Sequence, residues 1–137
     1  MPPVFAKLNL KDQTQILVVD APASFEPALE PLDGVMVLRD PAGPSRVTFA
    51  LAFVTTQRQL DAASALLADK ADGDAVLWFA YPKASSRRYR CEFNRDSGWD
   101  VIRSRGFDSV RQVAIDEDWS ALRFRRAEHI GRASPRR

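Results

Sequence analysis

The 137-residue sequence predicts a single α/β domain with a mainly parallel sheet, helices on both faces and a C-terminal antiparallel hairpin. Apolar runs alternate with helix-like segments, the order typical of parallel strands joined by crossover helices. Only three residues separate the last two runs, which permits antiparallel pairing alone. The hydrophobic fraction of 45% and the charged fraction of 28% are those of an ordinary globular domain, so disordered and collagen-like classes are excluded.

Three short apolar runs in the first half are predicted to be strands: residues 14–20, 34–38 and 47–54. They are rich in valine, leucine and isoleucine without strict alternation, as expected for parallel strands buried on both faces. Between the first two, Ser24 can cap a short helix over residues 25–32, which Pro27 and Pro31 limit to a turn or two.

The second half begins with the clearest helix, residues 57–71, which Thr55 or Thr56 can cap and which residues 72–74 would end. The strongest strand signal follows over residues 75–81. A second helix is predicted to begin at Asn94–Asp96 and to run to Arg105, with Gly106 behind it.

Strands 110–115 and 119–125 complete the chain as the hairpin. Strand 110–115 has a largely continuous apolar sequence, which predicts that it is buried. The second alternates, so we expect it to flank the sheet with Leu122 and Phe124 inward and Arg123 and Arg125 outward.

Three stretches of the second half carry a resemblance: residues 78–83 with Ser85 and Ser86, residues 94–99, and residues 112–116 with 119–124. Together they resemble a family of small bacterial proteins catalogued as a domain of unknown function. The resemblance covers about residues 7–126 and implies the Rossmann-like fold of class I methyltransferases. The family carries no established activity, so the resemblance implies a fold more than a function.

The charge of the chain is uneven. Residues 1–75 hold 6 Lys or Arg against 10 Asp or Glu, whereas residues 76–137 hold 14 against 8. The lone Cys91 cannot form an internal disulfide and, with one histidine in the chain, cannot build a Cys/His zinc site. No secretory signal and no apolar run long enough to cross a bilayer are present, so we expect a cytoplasmic protein without a membrane partner.

The turn after the first strand argues against a bound cofactor. Sites for dinucleotides or S-adenosylmethionine need glycines there, because only glycine lets the backbone approach the ligand. The turn Asp20–Phe25 has none, Pro22 lacks an N–H group, and Phe25 would fill space that a nucleoside needs. We therefore predict no cofactor.

A candidate anion site follows the strongest strand and comprises Lys83, Ser85, Ser86, Asn94 and Arg95. Cationic side chains, hydroxyl groups and the start of the next helix would supply charge and hydrogen-bond donors. The alternative is a solvated basic loop in which Asn94 merely caps the helix.

Other candidates have structural explanations. The carboxylates of residues 116–118 could bind Mg²⁺, but aspartate is also a common turn residue. His129 has only Glu128 as a nearby carboxylate, and Cys91 has no base in a matching motif, so we predict no catalytic or metal site. The three tryptophans, Trp78, Trp99 and Trp119, lie in apolar contexts typical of packing.

The sequence thus favours a binding or regulatory module that takes a small anionic ligand. A divergent S-adenosylmethionine-dependent transferase is the first alternative. A nucleic-acid accessory protein is the second, and it is less favoured because the arginines are not interleaved with exposed aromatic residues. Residues 1–126 are expected to form the domain and residues 127–137 a basic flexible tail. The oligomeric state is left open.

Overall fold

The computed structural model describes residues 2–130 and contains one six-stranded sheet with helices on both faces. The strands are β1 (Gln15–Val19), β2 (Met36–Leu38), β3 (Val47–Phe53), β4 (Ala71–Pro82), β5 (Phe107–Ala114) and β6 (Trp119–Arg126). The helices are α1 (Pro3–Lys7), α2 (Glu26–Leu29), α3 (Gln57–Lys70) and α4 (Asp100–Ser104), with 3-10 turns at Ala23–Phe25 and Ala127–His129. None of these helices has the length and apolar composition needed to span a bilayer.

The strand order is β2-β1-β3-β4-β6-β5. Strands β1 to β4 pair in parallel, whereas β6 pairs antiparallel with both β4 and β5. The predicted fold class, with its parallel sheet and antiparallel hairpin, is therefore confirmed.

The hairpin prediction was wrong in one respect, because β6 is an internal strand and β5 is the edge. Four consecutive residues of β6, Trp119 to Leu122, are buried, whereas most of β5 is accessible and Val110 is 38% exposed. The alternation was misleading because an arginine can bury its aliphatic stem against apolar surface, so a basic residue in a strand need not face solvent completely. Leu122 and Phe124 do face the core, but Arg123 is half-buried.

The helix predicted from Asn94 to Arg105 is also wrong at its start, since α4 begins at Asp100. The carboxamide oxygen of Asn94 accepts a hydrogen bond from the Asp96 amide at 2.8 Å and closes a turn. Gly98 then has a φ of +101°, which a helix cannot contain.

Three smaller differences concern the first three helices and their neighbours. Ser24 caps nothing, because the N-cap position before the 3-10 turn is Pro22, with no side-chain hydrogen bond. Residues 72–74 belong to β4, which starts directly after α3. Helix α1 was not predicted. The cap of α3 is Thr56, whose side chain accepts from the Gln59 amide in a capping box.

The sheet carries an apolar core on each face. On one face, α3 and α4 cover β4 and β6, and Leu60, Ile102 and Phe124 are completely buried. On the other face, α1 and the residues of the β1–β2 connection cover β3 and β4, where Phe5 and Trp78 are completely buried. All three tryptophans lie in the core, as predicted.

We expect Phe124→Ala to unfold or nearly unfold the protein. The Phe124 ring lies 5.8 Å from that of Phe79 and 5.3 Å from that of Trp99, between centroids. Removing such a ring costs about 3 to 5 kcal/mol, a large part of a total stability of about 5 to 15 kcal/mol. Thermal denaturation followed by circular dichroism measures the loss of stability.

Met36→Ala is the matched control, because Met36 is 59% exposed and should tolerate truncation. Equal melting temperatures for the two variants would contradict this packing.

Candidate functional site

The topological switch point of the sheet lies between β1 and β3, because the chain leaves β1 toward β2 and then crosses to β3 on the other side. Open parallel sheets bind ligands outside the carboxyl ends of the strands at such a point. In this protein aromatic rings pack there. Phe25 is 3% exposed and its ring centroid is 5.1 Å from that of Phe53, which lies 5.1 Å from that of Trp119.

The turn after β1 helps to fill the switch point with this aromatic packing. Asp20 takes a left-handed conformation with φ of +57°, and Pro22 then starts the 3-10 turn that carries Phe25 inward. Phe25 also lies 5.8 Å from Phe5 of α1, between ring centroids. The turn therefore presents an aromatic side chain to the core where a nucleotide site would present backbone amides.

A cleft of about 1000 Å³ opens instead at the carboxyl end of β4. Its floor contains Tyr81 and Pro82, and Gln112 of β5 and Ser120 of β6 form one wall. The remaining wall is the loop between β4 and α4. We call this cavity the β4 cleft.

Four of the five predicted anion-site residues line the β4 cleft, namely Lys83, Ser86, Asn94 and Arg95. Ser85 is exposed and is not part of the lining. The helix start that was expected to add free N–H groups is absent here, because α4 begins after the cleft-lining residues and is only five residues long.

Two of these residues are used in holding the loop. The Ser86 hydroxyl donates to an Asp118 carboxylate oxygen at 2.8 Å and accepts from the Arg88 and Tyr89 amides, both at 3.2 Å. Asn94 accepts from Asp96, as described above. The Lys83 amide donates to the Asp118 carbonyl at 2.8 Å, so the loop is joined to the hairpin turn.

The far end of the loop is fixed to α3. The Glu92 amide donates to the Thr55 carbonyl, and a Glu92 carboxylate oxygen accepts from the first amide of α3, that of Gln57, at 2.9 Å. The Gln57 side chain donates to the Gly98 carbonyl at 2.7 Å. A Cβ on Gly98 would lie 2.7 Å from the Phe93 Cβ, so this close approach requires glycine.

The cleft lining is cationic. Five positive side chains face two negative ones, Glu92 and Asp96, and the positive ones are Lys83, Arg87, Arg88, Arg90 and Arg95. Arg95 lies 3.4 Å from Asp96 and Arg88 lies 3.9 Å from Asp118, but both arginines are exposed, and such pairs contribute little. Within residues 2–130, Lys83, Arg87 and Arg90 form no ion pair.

Sequence reasoning missed Tyr81 and Gln112. The Gln112 amide group donates to the Tyr81 hydroxyl oxygen at 2.9 Å, which leaves the phenolic hydrogen free to donate. Burial raises the pKa of Tyr81, against an opposing effect of Arg95, so the phenol stays protonated at neutral pH. The alternation of side chains along β5 predicts that Gln112 lies on the same face of the sheet as Leu122. Only the strand order β4-β6-β5 brings Gln112 close to Tyr81.

The remaining candidates have structural roles or lie apart. Asp116 accepts from the Asp118 and Trp119 amides, as a turn residue does. His129 lies 3.7 Å from Glu128. Across residues 2–130 there is no group of three or more His, Cys, Asp or Glu placed to hold a metal ion.

Several solved structures of similar fold are methyltransferases. An S-adenosylmethionine-dependent methyltransferase from Aquifex aeolicus matches with a TM-score of 0.62 and 15% identity over 90% of this chain and 87% of that one. The N-methyltransferase NodS from Bradyrhizobium japonicum matches with a TM-score of 0.55 and 12% identity over 88% and 91% of the two chains.

A third structure, phosphoethanolamine N-methyltransferase 2 of Haemonchus contortus, matches with a TM-score of 0.57 and 9% identity. The alignment covers 92% of this chain but 38% of that one. No protein-family model matches the sequence, and the comparison with curated proteins found no match. The fold is methyltransferase-like, and at these identities the likeness extends to the fold alone.

We expect Cys91 to react with iodoacetamide only at a higher pH than an ordinary cysteine. Burial is the main cause that raises the pKa of this half-buried thiol, and the thiolate is the reacting form. The rate of alkylation against pH should have a higher midpoint in the native protein than in the urea-unfolded chain. Because the pKa of Cys91 is higher in the folded than in the unfolded state, the free energy of unfolding falls as pH rises from the unfolded pKa through the folded pKa. A native midpoint at or below the unfolded one would contradict this environment.

Proposed function

We propose that this protein is a binding or regulatory module of methyltransferase-like fold whose β4 cleft takes a small anionic ligand. The observation that carries the proposal is the cationic excess of the cleft, in which Lys83, Arg87 and Arg90 lack ion-pair partners among residues 2–130. Arginine and lysine side chains around a concave site favour phosphate or carboxylate groups.

Hydrogen-bond donors in the cleft support the same ligand class. The Tyr81 hydroxyl accepts from Gln112 and keeps its own hydrogen for an acceptor in the cleft. Because the phenol stays protonated at neutral pH, it can donate to an oxyanion there. The loop that carries Lys83 is held at both ends, at Asp118 and at Thr55, so less ordering is needed when a ligand binds.

Several features favour binding over catalysis. The Cys91 thiol has a raised pKa, which disfavours the nucleophilic thiolate. One of the two cleft carboxylates is engaged, since Glu92 accepts from the Gln57 amide at the start of α3. A general base needs a free acceptor within reach of the reacting proton.

The resemblance of the sequence supports a relationship to the small bacterial family of unknown function. We propose that this chain is a member, on the stretches 78–83, 94–99 and 112–124. Two of these stretches supply cleft residues and the third supplies Gln112 and Ser120. The cytoplasm is the proposed location, because the chain has one cysteine and a reducing compartment suits it.

A divergent S-adenosylmethionine-dependent transferase is the second candidate. The observation that favours it is the fold, since the similar structures include S-adenosylmethionine-dependent enzymes. The packing of Phe25 against Phe53 at the switch point disfavours it, because a nucleoside would have to displace a buried ring.

We expect S-adenosylmethionine and NAD at millimolar concentration to leave the melting temperature unchanged. A ligand at about 100 times its Kd would stabilise the native state by about 2.7 kcal/mol, so binding would be visible. Thermal denaturation with each compound, followed by isothermal calorimetry, measures this. Stoichiometric binding of S-adenosylmethionine would favour the transferase, and stoichiometric binding of NAD would contradict the closure of the switch point.

We expect sulfate or phosphate to stabilise the protein and Lys83→Ala to reduce that stabilisation. Lys83 lines the cleft, so its loss removes a charge from the site. Lys11→Ala is the matched control, because Lys11 is an exposed lysine outside the cleft and removes the same charge from the whole protein. Melting temperatures are compared with chloride at equal ionic strength to separate binding from screening. An equal anion response in both variants would leave the basic loop as a solvated surface.

A further inference from the structure

Two arginines are cross-strand neighbours in the β5–β6 hairpin. Arg111 of β5 is the direct cross-strand partner of Arg123 of β6, and Arg123 is in turn the partner of Trp78 of β4. Residues in direct register have Cβ atoms about 4.5 to 5.5 Å apart on one face of the sheet. The two guanidinium groups therefore share the Trp78 face, next to the core that α1 covers.

The neighbouring carboxylate of Asp74 is paired with a third arginine, Arg125. Arg125 donates to both oxygens of Asp74, through Nε at 2.8 Å and through a terminal nitrogen at 2.6 Å. That bond, with smaller effects of His129 and Arg123, holds the pKa of Asp74 below its usual range. Asp74 is thus engaged with Arg125.

Neither Arg111 nor Arg123 has a carboxylate bound to its guanidinium group in the described part of the chain. The buried Nε of Arg123 also has no hydrogen-bond partner among residues 2–130. Burial, then the neighbouring Arg125, lowers the pKa of Arg123; the charge of Asp74 opposes this effect, and Arg111 adds to it to a smaller extent. Like charges directly opposite each other destabilise a sheet, and an unsatisfied buried donor adds to the cost.

An oxyanion between the two groups would offset the like-charge contact. Guanidinium groups bind carboxylate or phosphate through paired N–H donors, and a phosphoryl group offers up to two charges and three acceptor oxygens to two arginines. We propose that Arg111 and Arg123 form a phosphoryl-binding site on the hairpin, for the phosphate of a small molecule or of a nucleic-acid backbone.

This hairpin site is separate from the β4 cleft. Gln112, which lines the cleft, follows Arg111 in β5, and successive side chains of a strand point to opposite faces. The cleft and the Arg111–Arg123 pair therefore lie on opposite faces of the sheet, and variants of Lys83 and Arg111 test them independently.

The first experiment follows the melting temperature of the full chain in phosphate and in chloride at equal ionic strength. Phosphate should raise it by several degrees more than chloride. Arg111→Ala should raise the melting temperature in dilute buffer, because it removes the like-charge contact, and should weaken apparent phosphate binding about tenfold or more, as expected for a lost charge-assisted hydrogen bond. Arg58→Ala is the control, since Arg58 is an exposed arginine of α3.

The second experiment locates the anion. In a protein labelled with ¹⁵N-arginine, phosphate should shift the Nε–H signal that disappears in Arg123→Lys, and this shift should persist in Lys83→Ala. If Lys83→Ala alone abolishes the phosphate response, the hairpin site is overturned while the β4 cleft stands. If Arg111→Ala alone abolishes it, the hairpin site stands and the proposed function of the cleft fails. An unshifted Arg123 signal overturns the hairpin site in either case.

A third arm identifies the source of the phosphoryl group. Fluorescence anisotropy measures the retention of a short single-stranded oligonucleotide by wild type and by Arg111→Ala. Retention that falls in the variant supports the site and assigns it to a nucleic-acid backbone. A phosphate response without retention supports the site and assigns it to a small phosphorylated compound. Absence of both in the wild type overturns the proposal.

Discussion

The burial of β4 on both faces and along both edges is the constraint on which the rest of the structure depends. Strand β4 pairs in parallel with β3 and antiparallel with β6, so its backbone amides and carbonyls form hydrogen bonds toward both neighbouring strands. Phe79 joins the core under α3 and α4, and Trp78 joins the core under α1, where its indole donates to the Leu8 carbonyl at 2.7 Å. The β4 cleft opens where this strand ends, so the buried Tyr81 is part of its lining.

Aromatic packing explains why the cleft lies beside the switch point rather than in it. Trp119 begins β6, and its ring contacts that of Phe53 at the end of β3 and that of Tyr89 in the cleft loop, with the latter centroids 4.9 Å apart. One side chain of the hairpin thus helps to close the usual ligand crevice and also supports the loop that lines the β4 cleft. The sheet is methyltransferase-like, and the open cavity lies one strand further along, at the end of β4.

The positive charge of the second half of the chain is divided between the two faces of the sheet. The loop after β4 directs one group of cations to the cleft, and the hairpin directs Arg111 and Arg123 to the opposite face. Part of this charge has a structural use, since Arg125 binds Asp74 and Arg126 donates to the Ala71 carbonyl at the start of β4. In the described part of the chain Lys83, Arg87 and Arg90 in the cleft, and Arg111 and Arg123 on the hairpin, form no ion pair.

The sequence by itself determined the fold class, the strands and the long helix, because apolar runs, the Thr56 cap and the short hairpin connection are local signals. It also determined that the turn after β1 lacks glycine and that cations follow β4. Only the tertiary structure decided that β6 is internal, that Asn94 closes a turn instead of starting a helix, and that Gln112 reaches Tyr81. Strand order and cross-sheet contacts join residues far apart in sequence, and periodicity along one segment carries no information about which segment packs beside it.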